Sequence, residues 1–330
     1  MNARAIFFVA PGAVEVGEVA LPAVGEGEVL VRTGYSGISA GSELLAYRGE
    51  LDPQLALDET IGALGGTFAY PFAYGYSCVG RVEHSRADLV EGSLVFAFHP
   101  HQDRFVAPAA DVIALHDTDA RVATLLPLVE TALQLSLDAG PVEHETVVVL
   151  GLGVVGMLTA ALLVRSGARV IAAEPRAWRR RAGEGFGIAA VTPAELGGAV
   201  EIETGGHGAA LLIEASGNPQ AMASGLGLLA HEGTALVASW YGTKPVALPL
   251  GAQFHRRRLS IRSSQVSTIP AAQRARWTLA RRRAVARTLI EELPLAALAT
   301  HTFAFADAAE AFAAVDRGDD GLLHAALCYG

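Results

Sequence analysis

Cysteine is scarce in this sequence. Among 330 residues there are two, Cys78 and Cys328, both set in apolar or aromatic stretches and without CxxC spacing. That count excludes a disulfide framework and a cysteine-built structural zinc site. Long apolar runs are lacking too. None approaches the roughly 20 residues of a membrane span. The opening MNARAIFFVAPGAVEVGEV reads as a strand and a turn, not a signal peptide. Basic residues are outnumbered: the net charge is −9, which opposes binding to nucleic acid or an anionic bilayer. No internal repeat or low-complexity linker occurs. The expectation is a cytoplasmic protein that acts on a small molecule, with no nucleic-acid and no membrane partner.

Hydrophobic residues make up 51% of the chain and charged residues 18%, the composition of a folded protein. Its 330 residues exceed one ordinary hydrophobic core, so two domains are expected. Up to about residue 115 the pattern is strand-like: EVLVRTGYSGIS, YSCVGRVEHS and GSLVFAFHPHQDRFVAPAADVIAL are strands separated by turn residues. Near residue 120 the pattern changes. ARVATLLPLVETALQLSLDAG has helical spacing and ends on Gly140. TVVVL, ARVIAAE, AALLIEAS and TALVASW then read as strands. They alternate with the helices GMLTAALLVRSG, RAWRRRAGEGFG and QAMASGLGLLAHEG. Such alternation implies a parallel sheet covered by helices. LSIRSSQV, the long arginine-rich helix AAQRARWTLARRRAVARTLIEEL, the strand ATHTFAF, the helix DAAEAFAAVDRG and the strand HAALCYG complete the chain.

One stretch carries chemistry by itself. VVVLGLGVVG, residues 147–156, runs from a buried strand into a GxGxxG turn and a helix, with a second strand behind it. That context gives the glycine triplet its meaning as a dinucleotide cradle. Gly151 permits the tight turn, Gly153 lets the backbone approach a pyrophosphate, and Gly156 lets helix and strand pack closely. The N–H groups at the helix start, at Val154 and Val155, and the helix dipole bind the phosphates. Glu174 ends the second strand 18 positions after Gly156. A carboxylate there accepts from both ribose hydroxyls and repels a 2′-phosphate, which favours NAD. Arg176, Arg179, Arg180 and Arg181 follow at once. They either bind a 2′-phosphate, making NADP possible, or form a solvated helix face.

The order of these parts, together with YSGISAGSELLAYRG, YGYSCVGRVE, GLGVVG, IEASGNP and SWYG, resembles the medium-chain dehydrogenase/reductase superfamily over essentially the whole chain. SIRSSQVS and HPHQ are most similar to the subgroup that contains the bacteriochlorophyllide hydroxyethyl dehydrogenase. The resemblance implies an α/β fold in two parts. A GroES-like β-rich catalytic domain covers residues 1–122, completed by 265–330, and a Rossmann doubly wound parallel sheet covers 123–264. It also implies a homodimer.

The zinc alcohol dehydrogenases of this superfamily take their first metal ligand from the cysteine of a GICGTD-like motif. Here the match is GISAGSE, one residue longer, so that cysteine falls on Ser39 or Ala40. The ligand histidine of their GHE motif is matched by Tyr76 in Gly75-Tyr76-Ser77, and the third ligand falls near Leu126. Catalytic zinc needs three protein ligands, and none of these positions supplies one. The expectation is that no metal is bound. His99 and His101, two apart on an apparent strand, could share a face. With a carboxylate they could form a replacement site; the alternative is a pair of surface or pocket histidines.

Without zinc, a hydrogen-bond donor or a general acid/base must handle the substrate oxygen. Tyr76 is either that donor or an aromatic wall. Ser42 and Glu43 match the threonine and aspartate of GTD if the gap precedes them. Ser42 is a proton relay in this scheme; Glu43 is a proton acceptor or is ion-paired with a residue such as Arg48. His101, of the residue type whose unperturbed pKa lies near neutrality, is an acid/base or a rim histidine. On the cofactor side, Glu130 and Thr131 lie in a helix that the family packs beside the nicotinamide, and a buried Glu130 needs a partner. Ser264 and Gln265 follow the last Rossmann strand. Ala215, Ser216 and Gly217 end another at the carboxyl edge, where ligands bind. Phe68, Tyr70, Phe72, Tyr74 and Tyr76 either line a pocket for a bulky or cyclic substrate or belong to the core.

The expected reaction interconverts a secondary alcohol and a ketone by hydride transfer at nicotinamide C4. Its pocket is expected between the two domains, including Tyr76, His101, Glu130 and the 39–47 loop. The alternatives are a reductase of activated C=C bonds and a catalytically silent nucleotide-binding protein.

Overall fold

The computed structural model describes residues 2–116 and 118–330. The chain divides into two compact units, residues 1–127 with 287–330, and residues 128–286. In chain order the strands are β1 (Asn2–Ala10), β2 (Ala13–Ala20), β3 (Glu28–Ile38), β4 (Phe72–Ala73), β5 (Cys78–Ser85), β6 (Leu94–Ala97), β7 (Arg104–Pro108), β8 (Val112–Ala114), β9 (Thr146–Leu150), β10 (Arg169–Ala173), β11 (Ala189–Val191), β12 (Ala209–Glu214), β13 (Leu229–Val237), β14 (Ser260–Ser263), β15 (His301–Ala304) and β16 (Ala325–Cys328). The helices are α1 (Ser42–Arg48), α2 (Ala120–Ala123), α3 (Leu126–Ala139), α4 (Val154–Arg165), α5 (Ala177–Glu184), α6 (Leu196–Thr204), α7 (Pro219–Gly225), α8 (Leu279–Glu292) and α9 (Ala308–Arg317). No helix among the described residues is long and apolar enough to cross a membrane.

The first unit is β-rich. One sheet has the order β2-β1-β4. A larger one has the order β15-β16-β3-β5-β6-β8, with β7 also on β3. Aromatic residues fill its core. Phe8 stacks on Phe72 with ring centres 5.3 Å apart and meets Phe312 edge-on at 5.2 Å. Phe68 meets Tyr74 at 5.2 Å. Such pairs add about 0.5–1.5 kcal/mol each beyond the area they bury. Phe68, Phe72 and Tyr74 are thus core residues, and Tyr70 and Tyr76 pack against that core. Phe68, Tyr70 and Phe72 also border a small cavity with Pro11, Leu51 and Pro53, so core packing and pocket lining are both found in this group.

The second unit is a six-stranded parallel sheet ordered β11-β10-β9-β12-β13-β14. Every residue of β9 is buried, as expected of a strand covered on both faces. Strand order reverses between β9 and β12, so their carboxyl ends form the switch point at which such sheets bind ligands. The fold class expected from the sequence, a β-rich part with a doubly wound parallel sheet, is the one observed.

Local differences have physical causes. Residues 39–47, expected as a loop, contain α1, whose Leu44, Leu45 and Tyr47 are buried. Gly49, at φ +71°, ends it by donating to Ala46 O. The helix expected over 220–233 ends at Gly225. From Leu229, which pairs with Ala209, the chain is strand, so sheet pairing overrides the helical spacing. The arginine-rich helix starts only at Leu279. Strand β11 and helix α6 were not legible in the apolar pattern.

Candidate active site

The glycine turn joins β9 to α4. Gly151 has φ +91°, and a Cβ there would lie 2.8 Å from Ser216 Cα. A Cβ on Gly156 would lie 2.0 Å from Gly151 O. Both positions require glycine for the fold itself. Gly153 is different. Its φ of −69° and ψ of 179° suit any residue, and a Cβ there meets nothing within 4 Å. The sequence therefore leaves open space over the turn. Val154 opens α4, followed by Val155, and first-turn N–H groups have no intrahelical acceptor. This open cradle at a helix N-terminus fits a dinucleotide pyrophosphate.

Glu174 is buried against the turn. Its Oε2 accepts from Leu152 N at 2.9 Å and its Oε1 from Arg176 N at 3.0 Å. Arg179 Nη1 lies 4.0 Å from Oε2, and its guanidinium lies over the Trp178 ring at 5.1 Å. Arg180 donates to the carbonyls of Glu174 and Pro175 at 2.7 and 2.8 Å. These two arginine heads brace the strand end. Across the switch point, Glu214 Oε1 accepts from Ser216 N at 2.8 Å, Ser216 Oγ at 2.6 Å and Gly217 N at 3.1 Å. Ala215 N donates to Leu150 O at 2.9 Å. The 215–217 turn is thereby fixed beside Gly151.

Glu130 is buried on α3, and its partner is Arg282 of α8. Arg282 Nε and Nη2 donate to Glu130 Oε1 at 3.1 and 2.9 Å, and the guanidinium also reaches Gln134 and Val266 O. Arg282 is the largest fully enclosed side chain among the described residues. Thr131 is half-buried beside Glu130. Ser264 Oγ donates to Asp138 Oδ2 at 2.7 Å, and Gln265 Oε1 accepts from Ser267 Oγ at 2.5 Å. No sequence pattern singles out Arg282. It lies among several arginines of α8, and only its register against α3 selects it.

In the β-rich unit, Tyr76 OH lies 2.9 Å from Ser42 Oγ. Burial, then the charge of Glu43, push the Tyr76 phenol up to about 12. Glu43 and His101 are fully enclosed. Glu43 Oε1 accepts from Ser39 N at 3.0 Å, and His101 Nε2 lies 2.8 Å from Glu43 Oε2. His101 Nδ1 lies 2.7 Å from Ser36 Oγ, which lies 2.8 Å from Tyr329 OH. Arg48 pairs instead with Asp316, at 2.5 Å. Tyr76, Ser42, Glu43 and His101 are thus drawn into one cluster. Ser39, which the GISAGSE match had already marked, joins it, as do Ser36 and Tyr329, which no motif signalled.

At the positions that the resemblance matches to the zinc ligands stand Ser39 or Ala40, Tyr76 and Leu126, none of which is a usual zinc donor. His99 stacks on Phe105 at 4.0 Å and donates from Nδ1 to Pro100 O, turned to a different use from His101. Burial lowers the His99 pKa to about 4. Among the described residues no group of three or more His, Cys, Asp or Glu could hold a metal ion. These residues do not fit a catalytic zinc.

Comparison with known proteins accords with this architecture. Residues 154–282 match the family model described as zinc-binding dehydrogenase. The 2-desacetyl-2-hydroxyethyl bacteriochlorophyllide A dehydrogenase of Cereibacter sphaeroides is 27% identical, over 98% of this chain and 97% of its own. A Sinorhizobium meliloti dehydrogenase solved with NADP has a TM-score of 0.77 at 18% identity, with full coverage of both chains. An Escherichia coli alcohol dehydrogenase solved with NADH has a TM-score of 0.78 at 18% identity, over 99% of each. These similarities support the resemblance to the medium-chain dehydrogenase/reductase superfamily and a reading of the chain as an NAD(P)-dependent dehydrogenase or reductase.

Proposed function

We propose that this chain is a zinc-independent, NAD(P)-dependent oxidoreductase that interconverts a secondary alcohol and a ketone. The observation that carries the reading is the Tyr76–Ser42 hydroxyl pair, 2.9 Å apart, in the cluster where the family's metal ligands are missing. The nicotinamide, when bound, supplies hydride exchange at C4. The chain must hold the pyrophosphate, which the open cradle over Gly153 suits, and it must handle the proton on the substrate oxygen. Tyr76 stays a neutral phenol through physiological pH because its pKa is pushed up to about 12. It donates a hydrogen bond to a carbonyl oxygen and passes its proton there as the alcohol forms. Ser42 Oγ–H then relays a proton to Tyr76 while taking one up from water at its half-exposed side, so that both hydroxyls end neutral.

NAD is the proposed cofactor in preference to NADP. The support is the Glu174 carboxylate at the end of β10 and the engagement of Arg179 and Arg180 with the strand end. For the substrate, the relative from C. sphaeroides is named for a hydroxyethyl bacteriochlorophyllide. That supports a secondary alcohol on a bulky or cyclic framework; the core aromatics add nothing to this. Reduction of activated C=C bonds is the second reading, since it too needs no metal. Product analysis with matched alcohol, ketone and enone substrates tests the proposal, with NADH and NADPH titrated in parallel. Carbonyl turnover and tighter NADH are expected. Reduction of the C=C bond alone would sink the alcohol–ketone reading.

A further inference from the structure

The Glu43–His101 pair is costly to bury and is not at the surface of anything. Both side chains are completely enclosed, and an enclosed carboxylate is tolerated only with full hydrogen bonding. Its two oxygens are used in two directions. Oε1 takes the Ser39 N–H, which closes the 39–43 segment on itself. Oε2 takes His101 Nε2–H, which ties that segment to the strand-rich body of the unit. Ser42, the residue before Glu43, opens α1 with its Oγ on Tyr76 OH.

His101 holds the other half of the same pair. Gly75, at φ +116°, presses on the imidazole so closely that a Cβ would lie 2.6 Å from His101 Cδ2. Tyr76 is the next residue. The His101 backbone is fixed as well, its N–H donating to Tyr74 O at 3.2 Å and its carbonyl accepting from Ile6 N at 2.9 Å. Ser36 and Tyr329 complete the far side of the ring. One imidazole therefore touches the segment bearing Ser42 through Glu43, and the segment bearing Tyr76 through Gly75.

Resting on the oxidoreductase reading above, we propose that Glu43 and His101 are positioning residues that set the Ser42–Tyr76 pair and keep Tyr76 a proton donor. Glu43 does the second part by charge. The ionisable groups that act on Tyr76 are Glu43 and Asp58, and Tyr74 senses Tyr76 in turn. Glu43 also raises the buried Cys78 and Tyr329, and His101 lies against Glu43. Of the acidic groups acting on Tyr76, Glu43 has the larger effect.

The test compares wild type and Glu43→Gln, each with its own Tyr76→Phe counterpart, by ultraviolet tyrosinate titration. The Tyr76 increment is expected to move to lower pH in the Glu43→Gln background. With cyclohexanone and NADH, kcat for Glu43→Gln is expected to fall about 100-fold, with little change in NADH affinity, as for a misplaced reacting group. His101→Gln keeps a donor toward Glu43 but not the ring against Gly75. It serves as the second variant, with a fall in kcat expected and the Tyr76 midpoint retained. An unmoved Tyr76 midpoint in Glu43→Gln overturns the proposal, as does full kcat in both variants. Because the titration needs no turnover, its result stands apart from the catalytic reading, which fails separately if Tyr76→Phe keeps full activity.

Discussion

The hydroxyls of Tyr76 and Ser42 face each other at 2.9 Å, one carried by the segment before β5 and the other by the first residue of α1. If this pair handles the substrate proton, Tyr76→Phe removes the donor and little else. Its fold should survive, since the loss is about one hydrogen bond, on the order of 1 kcal/mol. Steady-state kinetics should show kcat reduced about 100-fold or more. Wild-type kcat in Tyr76→Phe would assign the proton to another group.

The two outer glycines and the middle one should separate in a binding experiment. Gly153→Asp places a carboxylate in open space without touching the fold. It should leave the melting temperature near wild type while NADH titration shows no binding. Gly156→Ala meets Gly151 O and should cost about 1–3 kcal/mol in denaturant unfolding. Retained NADH affinity in Gly153→Asp would place the pyrophosphate elsewhere.

Glu130→Ala removes the carboxylate partner of the buried Arg282, leaving its charge with Gln134 and Val266 O. Urea unfolding should register a loss of about 3–5 kcal/mol. Glu130→Gln, which keeps an acceptor, should lose less. Equal losses in both would mean that charge, not hydrogen bonding, holds the pair.

Stability should fall on the acid side through His324. Its ring is buried against Gly37 and bonded to Thr124 Oγ1 at 2.9 Å, and burial lowers its pKa from 6.5 to about 4. Between those values the unfolded chain takes up a proton that the folded one refuses. The contribution is therefore fully present above about pH 6.5 and is lost as pH drops toward 4. It amounts to something on the order of 3 kcal/mol. His324→Gln should flatten that part of the stability curve; an unchanged slope would assign it to other groups.

Much of the second unit was legible because its signals are local. TVVVL followed by GLGVVG states a buried strand, a turn and a helix in eleven residues, and the alternation after it states a parallel sheet. The 39–47 segment was misread because α1 is short and only its packing against the aromatic core reveals it. For Glu43 and His101, type and approximate place could be read, but not their pairing. They are 58 positions apart and meet only when β3, α1 and the strands around Tyr74 come together. Arg282 was invisible for the same reason, as was the occupation of the Glu174 carboxylate by Leu152 N. Long-range polar pairing leaves no period in a sequence, whereas strand, turn and helix do.

If side chains rather than zinc handle the substrate oxygen, activity must be independent of bound metal. The most direct measurement is turnover of a secondary alcohol and its ketone by chelator-treated, dialysed protein whose metal content is determined on the same sample. Full activity is expected with zinc far below one per chain, unchanged when zinc is added back. Activity that tracks zinc content, or one zinc per chain retained through dialysis, would contradict it.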